Sequence, residues 1–458
     1  MAYRSINPFT GELLRTFDQL TDAQVESALT QADGAFRRTW SKAAFRDRAR
    51  IVSRAASLMR ERKESLARLA AIEMGKRISE GRDEVELSAA ILQYFADRAE
   101  ALLAPQAIDT PLGDAHVELS PLGVLIGVQP WNFPYYQLAR FAAPNLMAGN
   151  ALLVKHSSSV PQCALAFEQL FLDAGAPTGV YTNLFVSSEQ VGRLLDDPRT
   201  QGVALTGSEQ AGEALAARAG KNLKRSTMEL GGSDAFIVLE DCDLEYAVRM
   251  AVLGRMGNAG QTCIGAKRFI VVGQRAERFL DAFRNALEQL TPGDPLDERT
   301  TLGPVASEAA LNQLVQQVRE AVAHGARVIT GGDRIRHPGA FMRPTILTDV
   351  TPDNPAFRQE FFGPVALVLP AKDEEEAIAI ANDSPFGLGG SVYTSDVEHG
   401  KRVASRIESG MVFVNYPFIS APELPFGGIK RSGYGKELST FGIREFVNEK
   451  LVCVWNGN

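Results

Sequence analysis

The chain is poor in cysteine and histidine, with four of the former and five of the latter in 458 residues. Cys163, Cys242, Cys263 and Cys453 stand far apart with no CxxC pair, which excludes a dense disulfide framework and offers no metal-ligand spacing, so no metal is expected. No run of about 18 apolar residues could span a bilayer, and the opening MAYRSINPFTGE lacks the charged-then-apolar layout of a signal peptide. No membrane partner and a cytoplasmic location follow as expectations. Basic runs are also missing and the formal net charge is −7, a balance that disfavours a phosphate backbone, so no nucleic acid partner is expected. Repeats and low-complexity segments are absent too.

What the chain does have is an ordinary globular composition, 45% hydrophobic and 22% charged, at about three times the ~150 residues of a typical domain. From Thr21 to Gly75 the spacing predicts helices, with Thr21-Asp22 as a start signal and Ile51, Val52, Ala55, Ala56, Leu58 and Met59 on one face. A further helix is predicted over Glu80–Leu103. Pro105, Thr110 to Gly113 and Pro121 to Gly123 then bracket an alternating segment containing His116, Val117 and Leu119, which reads as an extended arm.

Short apolar runs at Val124–Val128, Ala151–Val154, Thr182–Val186 and Gly202–Leu205 alternate with helical segments such as Gln137–Met147 and Gln162–Ala174. That alternation predicts a parallel, doubly wound α/β sheet. A second α/β series follows Gly231-Gly232, with strands at Ala235–Leu239, Phe269–Val272 and Val365–Leu369 and helices at Leu244–Leu253, Glu277–Leu290 and Leu311–Ala323. The apolar tail Ile443–Trp455 is a poor free edge and is expected to pair with the arm, its own or another subunit's.

Several residues carry chemical potential, each with an ordinary alternative. Cys263, among the small residues of Gly260-Gln261-Thr262-Cys263, is either a nucleophile or a buried small hydrophobe. Glu229, in Met228-Glu229-Leu230-Gly231-Gly232, is either a desolvated base or a surface carboxylate beside a turn. Asn132, held between Pro130-Trp131 and Phe133-Pro134, can donate to a developing oxyanion or simply form a turn. Gly207-Ser208 with Gly212 follows a strand and opens a helix whose terminal amides suit a pyrophosphate, although the usual glycine fingerprint is missing. Lys155 ends an apolar run at the sheet edge where nucleotides bind, or is a solvated lysine.

Taken in order, Pro130 to Pro134, Thr206-Gly207-Ser208, Glu229 to Gly232, Gly260 to Cys263, Glu360-Phe361-Phe362-Gly363-Pro364 and Pro425-Phe426-Gly427-Gly428 resemble the aldehyde dehydrogenase superfamily over nearly the whole chain. The resemblance implies a Rossmann-like cofactor-binding domain over 1–102 and 122–229, an α/β catalytic domain over 230–435, and a bridging hairpin arm and tail over 103–121 and 436–458. It implies a homodimer or homotetramer as well. Cys263 then matches the nucleophile, Asn132 the oxyanion donor and Glu229 the general base.

The same resemblance places Trp131, Lys155, Gly207, Ser208, Gly212, Gly231, Glu360 and Phe362 against a nicotinamide cofactor. Many relatives that use NAD carry Glu three residues after the lysine, whereas this chain has Ser158, which does not repel a 2′-phosphate. NAD or NADP is therefore expected. Arg140, eight residues beyond Asn132 and about two helical turns on, matches an arginine of succinate-semialdehyde dehydrogenases and would clamp the carboxylate of a small aldehyde acid. Gln137, Arg255, Ser420, Phe133 and Phe426 are further substrate-side expectations. Arg255 lies eight residues before Cys263 rather than the usual six. A related semialdehyde or a broad aliphatic range is the alternative, and transfer of the acyl group to CoA or a retired, non-catalytic scaffold are others.

Overall fold

The computed structural model describes residues 3–455. Its N-terminal layer is helical, as the spacing predicts: Asp22–Arg38, Phe45–Glu61, Lys63–Met74 and Ile78–Leu102. Thr21 and Gln24 form a reciprocal cap on the first of these, and Gly75, in the left-handed region at φ 81°, ends the third. The apolar faces of the last three share one core with the helix Tyr136–Ala148, whereas Val25, Leu29 and Ala32 of the first pack with Val124, Ile126 and Leu153.

Two sheets organise the rest. The first runs, edge to edge, Gly433–Tyr434, Arg225–Glu229, Thr200–Thr206, Val124–Gln129, Ala151–His156 and Tyr181–Asn183. All its strands are parallel except Gly433–Tyr434, which adds an antiparallel edge. Strand order reverses at Val124–Gln129, and the crevice beyond the carboxyl ends of such strands is where ligands bind in open α/β sheets.

The second sheet runs Arg327–Thr330, Thr345–Thr348, Val365–Ala371, Ala266–Val272, Asp234–Val238, Gly390–Tyr393 and Phe413–Val414, antiparallel only at Arg327–Thr330. Asp234–Val238 and Ala266–Val272 are buried at every position. Strands covered on both faces read as continuous apolar runs, which is why this series was visible in the sequence.

The tail strand Val447–Trp455 pairs antiparallel with Gly113–Pro121, and Gln106–Ile108 pairs with the other edge of the arm. The expected pairing is thus made within the chain. Ile443 itself falls in a short helix, Ser439–Arg444, with its side chain in the core. The strand predicted over Thr182–Val186 is also cut short. Tyr3 takes up both backbone groups of Val186, donating to its carbonyl at 2.8 Å and accepting from its N–H at 3.1 Å, so the chain leaves the sheet early. No described helix is long and apolar enough to cross a membrane.

Candidate active site

Between the helix Leu244–Met256 and the strand Ala266–Val272 the backbone makes an unusual turn. Asn258, Ala259 and Gly260 all have positive φ, at 54°, 52° and 76°. Such residues are costly unless their surroundings over-determine them. Here the Asn258 side chain donates to the Asn132 carbonyl at 2.8 Å and to the Gln261 carbonyl at 3.2 Å, while its backbone N–H donates to Glu80 at 2.9 Å. Gln261 donates to the Asn258 carbonyl at 3.0 Å and accepts from Ala306 N–H at 2.7 Å. The turn delivers Cys263, partly exposed, to the meeting point of two cavities.

The larger cavity, about 540 Å³, is walled by Phe133, Tyr136, Phe418, Ile419 and Phe426, with Ser420 as a polar spot. The smaller, about 280 Å³, is bounded by Trp131, Asn132, Gly207, Ser208, Gly231, Glu360 and Phe362. Cys263 and Gln137 line both. Asn132 donates its amide to the Gln261 carbonyl at 3.0 Å, which leaves one N–H of that amide free. Among the described residues the Cys263 backbone N–H has no acceptor. The oxyanion donors expected from the sequence are therefore close together and available.

Glu229 ends its strand at 3% exposure, and neither carboxyl oxygen has a hydrogen-bond partner. Burial raises its pKa from 4.5 to about 8, opposed by the Arg140 charge and reinforced by Glu437. Burial likewise pushes the Cys263 thiol up to about 11, with Arg140 and Lys267 pulling the other way. At neutral pH the resting site holds both protons, beside a carboxyl poised to become a base as pH rises.

The smaller cavity has the features of a dinucleotide crevice. Glu360 accepts from Gly232 N–H at 3.1 Å and faces Lys267 at 3.2 Å. A Cβ at Gly231 would collide with the Glu360 carboxylate, so glycine there keeps that acid at the wall. Trp131 stands edge-on to Phe362 at 5.7 Å. Ser208 caps the helix Glu209–Lys221 through Ala211 N–H at 3.4 Å. Lys155 is a partly buried cation whose one described hydrogen bond is to the His156 carbonyl at 3.4 Å, and Ser158 nearby is exposed. Burial without a counter-charge lowers the Lys155 pKa, and an anionic phosphate is the kind of ligand that would relieve it. Lys155 and Ser158 lie off this cavity, at the end of the neighbouring strand. His156 ties the Asn132 loop to the sheet, its ring spanning the Gln129 and Pro134 carbonyls at 3.2 and 3.0 Å.

Three expectations need correction. Arg140 does not line the larger cavity: it is wholly buried, ion-paired with Glu437 and stacked 4.1 Å from the Phe426 ring centre, so its charge is already spent. Arg255 is equally buried and donates to the Gly260 carbonyl and, at 2.9 Å, to the Ala266 carbonyl, clamping the nucleophile turn at both ends. Gly212 is a packing position, since a Cβ would meet the Leu230 side chain at 2.7 Å.

The sequence reading passed over Tyr136, Asn258, Glu437 and Lys267. Only Lys267 left a signal, as half of a Lys-Arg pair heading an otherwise apolar strand.

Comparison with known proteins places this geometry. The sequence model described as the Aldehyde dehydrogenase family matches residues 1–452. Succinate-semialdehyde dehydrogenase [NADP(+)] of Deinococcus radiodurans is 50% identical over 98% of this chain and 94% of its own. Succinate-semialdehyde dehydrogenase [NADP(+)] 1 of Mycobacterium tuberculosis is 44% identical over 99% of this chain and all of its own. The crystal structure of succinic semialdehyde dehydrogenase from Streptococcus pyogenes in complex with NADP+ superposes with a TM-score of 0.98 at 44% identity, over 99% of this chain and 100% of that one.

Because removing one partner strands the other charge in the interior, Arg140→Ala should lower the unfolding free energy by about 3–5 kcal/mol. Chemical denaturation checks this, and a loss below about 1 kcal/mol would return Arg140 to a dispensable, ligand-facing role. Gly260→Ala should be destabilising as well, since φ is +76° and a Cβ would run into the Gly363 carbonyl; a lowered melting temperature is the expected reading.

Proposed function

The chain belongs to the aldehyde dehydrogenase family, and we propose that it oxidises succinate semialdehyde to succinate with NAD or NADP. The observation that carries this reading is a single cysteine lining both a substrate-sized cavity and a dinucleotide crevice, with an unpartnered buried carboxyl, Glu229, near enough to act on it electrostatically.

Cys263, as thiolate, adds to the aldehyde carbon, and the alkoxide that forms is met by the Asn132 amide and the Cys263 N–H, donors fixed before its charge develops. A nicotinamide bound in the smaller cavity would supply the hydride acceptor for the thiohemiacetal carbon. Trp131, Gly207, Ser208, Gly231, Glu360 and Phe362 would hold it, with Lys155 and Ser158 towards the adenosine end. Glu229 then takes a proton from water, and the hydroxide equivalent displaces Cys263 from the thioester to leave a carboxylate. A hydrolytic rather than CoA-dependent outcome follows from that base.

For the substrate's remote carboxylate we assign a relay in place of a direct clamp. Arg140 donates to the Tyr136 hydroxyl at 3.1 Å, and Tyr136 and Ser420 hydroxyls lie 2.6 Å apart in the larger cavity. With Tyr136 accepting from Arg140 and donating to Ser420, the Ser420 proton points onward to an anionic ligand. Of the three carboxylates on the same wall two are committed, Glu84 to Lys76 and the Tyr135 and Tyr136 N–H groups and Glu80 to Arg77 and Asn258, while Asp83 is exposed to solvent. The apolar walls favour a second reading, a related semialdehyde or broad aliphatic aldehyde. The chain division given above, assembly as a homodimer or homotetramer through the exposed arm, and a cytoplasmic location belong to the same proposal.

Glu229→Gln should preserve a stoichiometric burst of reduced cofactor while slowing steady turnover by about 10²–10⁴-fold. In the wild type steady turnover should climb as pH rises through about 8, the value to which burial moves Glu229, because the base form accumulates on that side. Undiminished turnover in the variant would remove the base assignment. Ser420→Ala should raise KM for succinate semialdehyde about tenfold more than KM for butanal, as expected from a hydrogen bond to a charged group. Equal changes for both aldehydes would reject the relay.

A further inference from the structure

We infer that Lys267 is a positioning residue that aims the Cys263 backbone N–H at the oxyanion and ties the nucleophile turn to the cofactor-side acid Glu360. The inference rests on the reading of Cys263 as nucleophile given above and names a further part of that site.

Lys267 is the second residue of the strand Ala266–Val272 and is completely buried. Its ammonium has three donors, and three acceptors surround it: the Thr262 carbonyl at 2.8 Å, the Cys263 carbonyl at 2.6 Å and Glu360 Oε1 at 3.2 Å. A buried lysine with every proton placed is expensive to build and has little freedom to move.

The grip on Thr262 decides more than a turn. The peptide joining Thr262 to Cys263 is planar and trans, so its carbonyl and its N–H point in opposite directions. Holding the Thr262 oxygen with Lys267, and also with the Gly265 N–H at 3.1 Å, therefore aims the Cys263 N–H away from the lysine. That N–H has no acceptor among the described residues. A second grip on the Cys263 carbonyl fixes the next peptide plane, and the Cys263 Cα between them loses its rotational freedom.

The third contact reaches the other cavity. Glu360 lines the cofactor crevice and keeps one oxygen on Gly232 N–H and Lys267. A ligand that draws on Glu360 redistributes the hydrogen bonding of Lys267, and through it the two carbonyls beside the sulfur. The charged groups facing Lys267 are Glu360, Arg255, Asp234 and Cys263, and those facing Cys263 are Arg140, Lys267, Glu360 and Glu229.

Two variants test this on the full-length protein. Lys267→Met removes charge and donors, whereas Lys267→Gln removes the charge and keeps an N–H donor. The rate of Cys263 alkylation by iodoacetamide is followed against pH without cofactor, alongside kcat, KM and melting temperature. Folded Lys267→Met should show its alkylation midpoint shifted upward and kcat lowered at least tenfold, with KM for the aldehyde within about twofold. Lys267→Gln should keep the raised midpoint but recover part of kcat. A folded variant with both the midpoint and kcat of the wild type overturns the inference. So does a loss confined to stability or KM. Should Lys267→Met fail to fold, Lys267→Gln alone decides by the same midpoint. A wild-type enzyme that makes no reduced cofactor from any aldehyde would instead strike at the function, whatever the alkylation profile.

Discussion

The site depends on a backbone that would not hold its shape alone. Two non-glycine residues and one glycine in succession, Asn258, Ala259 and Gly260, occupy the left-handed region, at a cost of order 1–3 kcal/mol for each strained residue. Without the turn, the helix Leu244–Met256 would carry the chain past the cavities instead of into them. The compensation is a set of buried polar groups that accept only this path: Arg255 on the Gly260 and Ala266 carbonyls, Asn258 bridging to the Asn132 loop, and Gln261 bonded to Ala306. Asn132 and Cys263 are thus positioned by one network, since Asn258, which donates to the Asn132 carbonyl, also shapes the cysteine turn.

Charges around the site divide into two kinds. Lys76 and Glu84, Arg140 and Glu437, and Lys267 and Glu360 are paired, and Arg255 donates from both of its terminal nitrogens to backbone carbonyls. Glu229, by contrast, is left with both oxygens unpartnered in the same interior. Buried polar groups are ordinarily satisfied, and among the described residues Glu229 is the one buried carboxyl with neither oxygen partnered, so both are free to meet a water or ligand. Burial keeps it protonated below about pH 8, a proton affinity that suits the base role proposed for it.

The same division explains what could be read in advance. Strands covered on both faces leave apolar runs, so the α/β layout is legible in the sequence, whereas Cys263, Asn132 and Glu229 are set apart from their ordinary alternatives only by the family resemblance. Helical spacing also put Arg140 on the inner side of its helix. Depth was not legible, because Phe426, Tyr136 and Glu437, which close over its guanidinium, come from a neighbouring turn and from the far end of the chain. Arg255 was misread for a related reason: its partners are backbone carbonyls, and a carbonyl has no letter in the sequence. Gly212 differs again, since a glycine needed for close helix packing and one needed for phosphate approach look alike until Leu230 is seen against it.

An arginine already neutralised by Glu437 changes how a carboxylate can be selected. A free guanidinium in the larger cavity would attract any anion. A hydroxyl polarised from behind by that guanidinium offers a directional donor with no net charge of its own, so only a ligand whose carboxylate reaches Ser420 while its carbonyl reaches Cys263 benefits fully. Chain length then becomes the discriminating variable. One methylene in such a cavity is worth only about 1–3 kcal/mol by packing alone, whereas losing a hydrogen bond to a charged group costs a similar amount again. The proposed relay would therefore add a polar criterion to a mostly apolar cavity, and Arg140 would then act on substrate choice without touching the substrate.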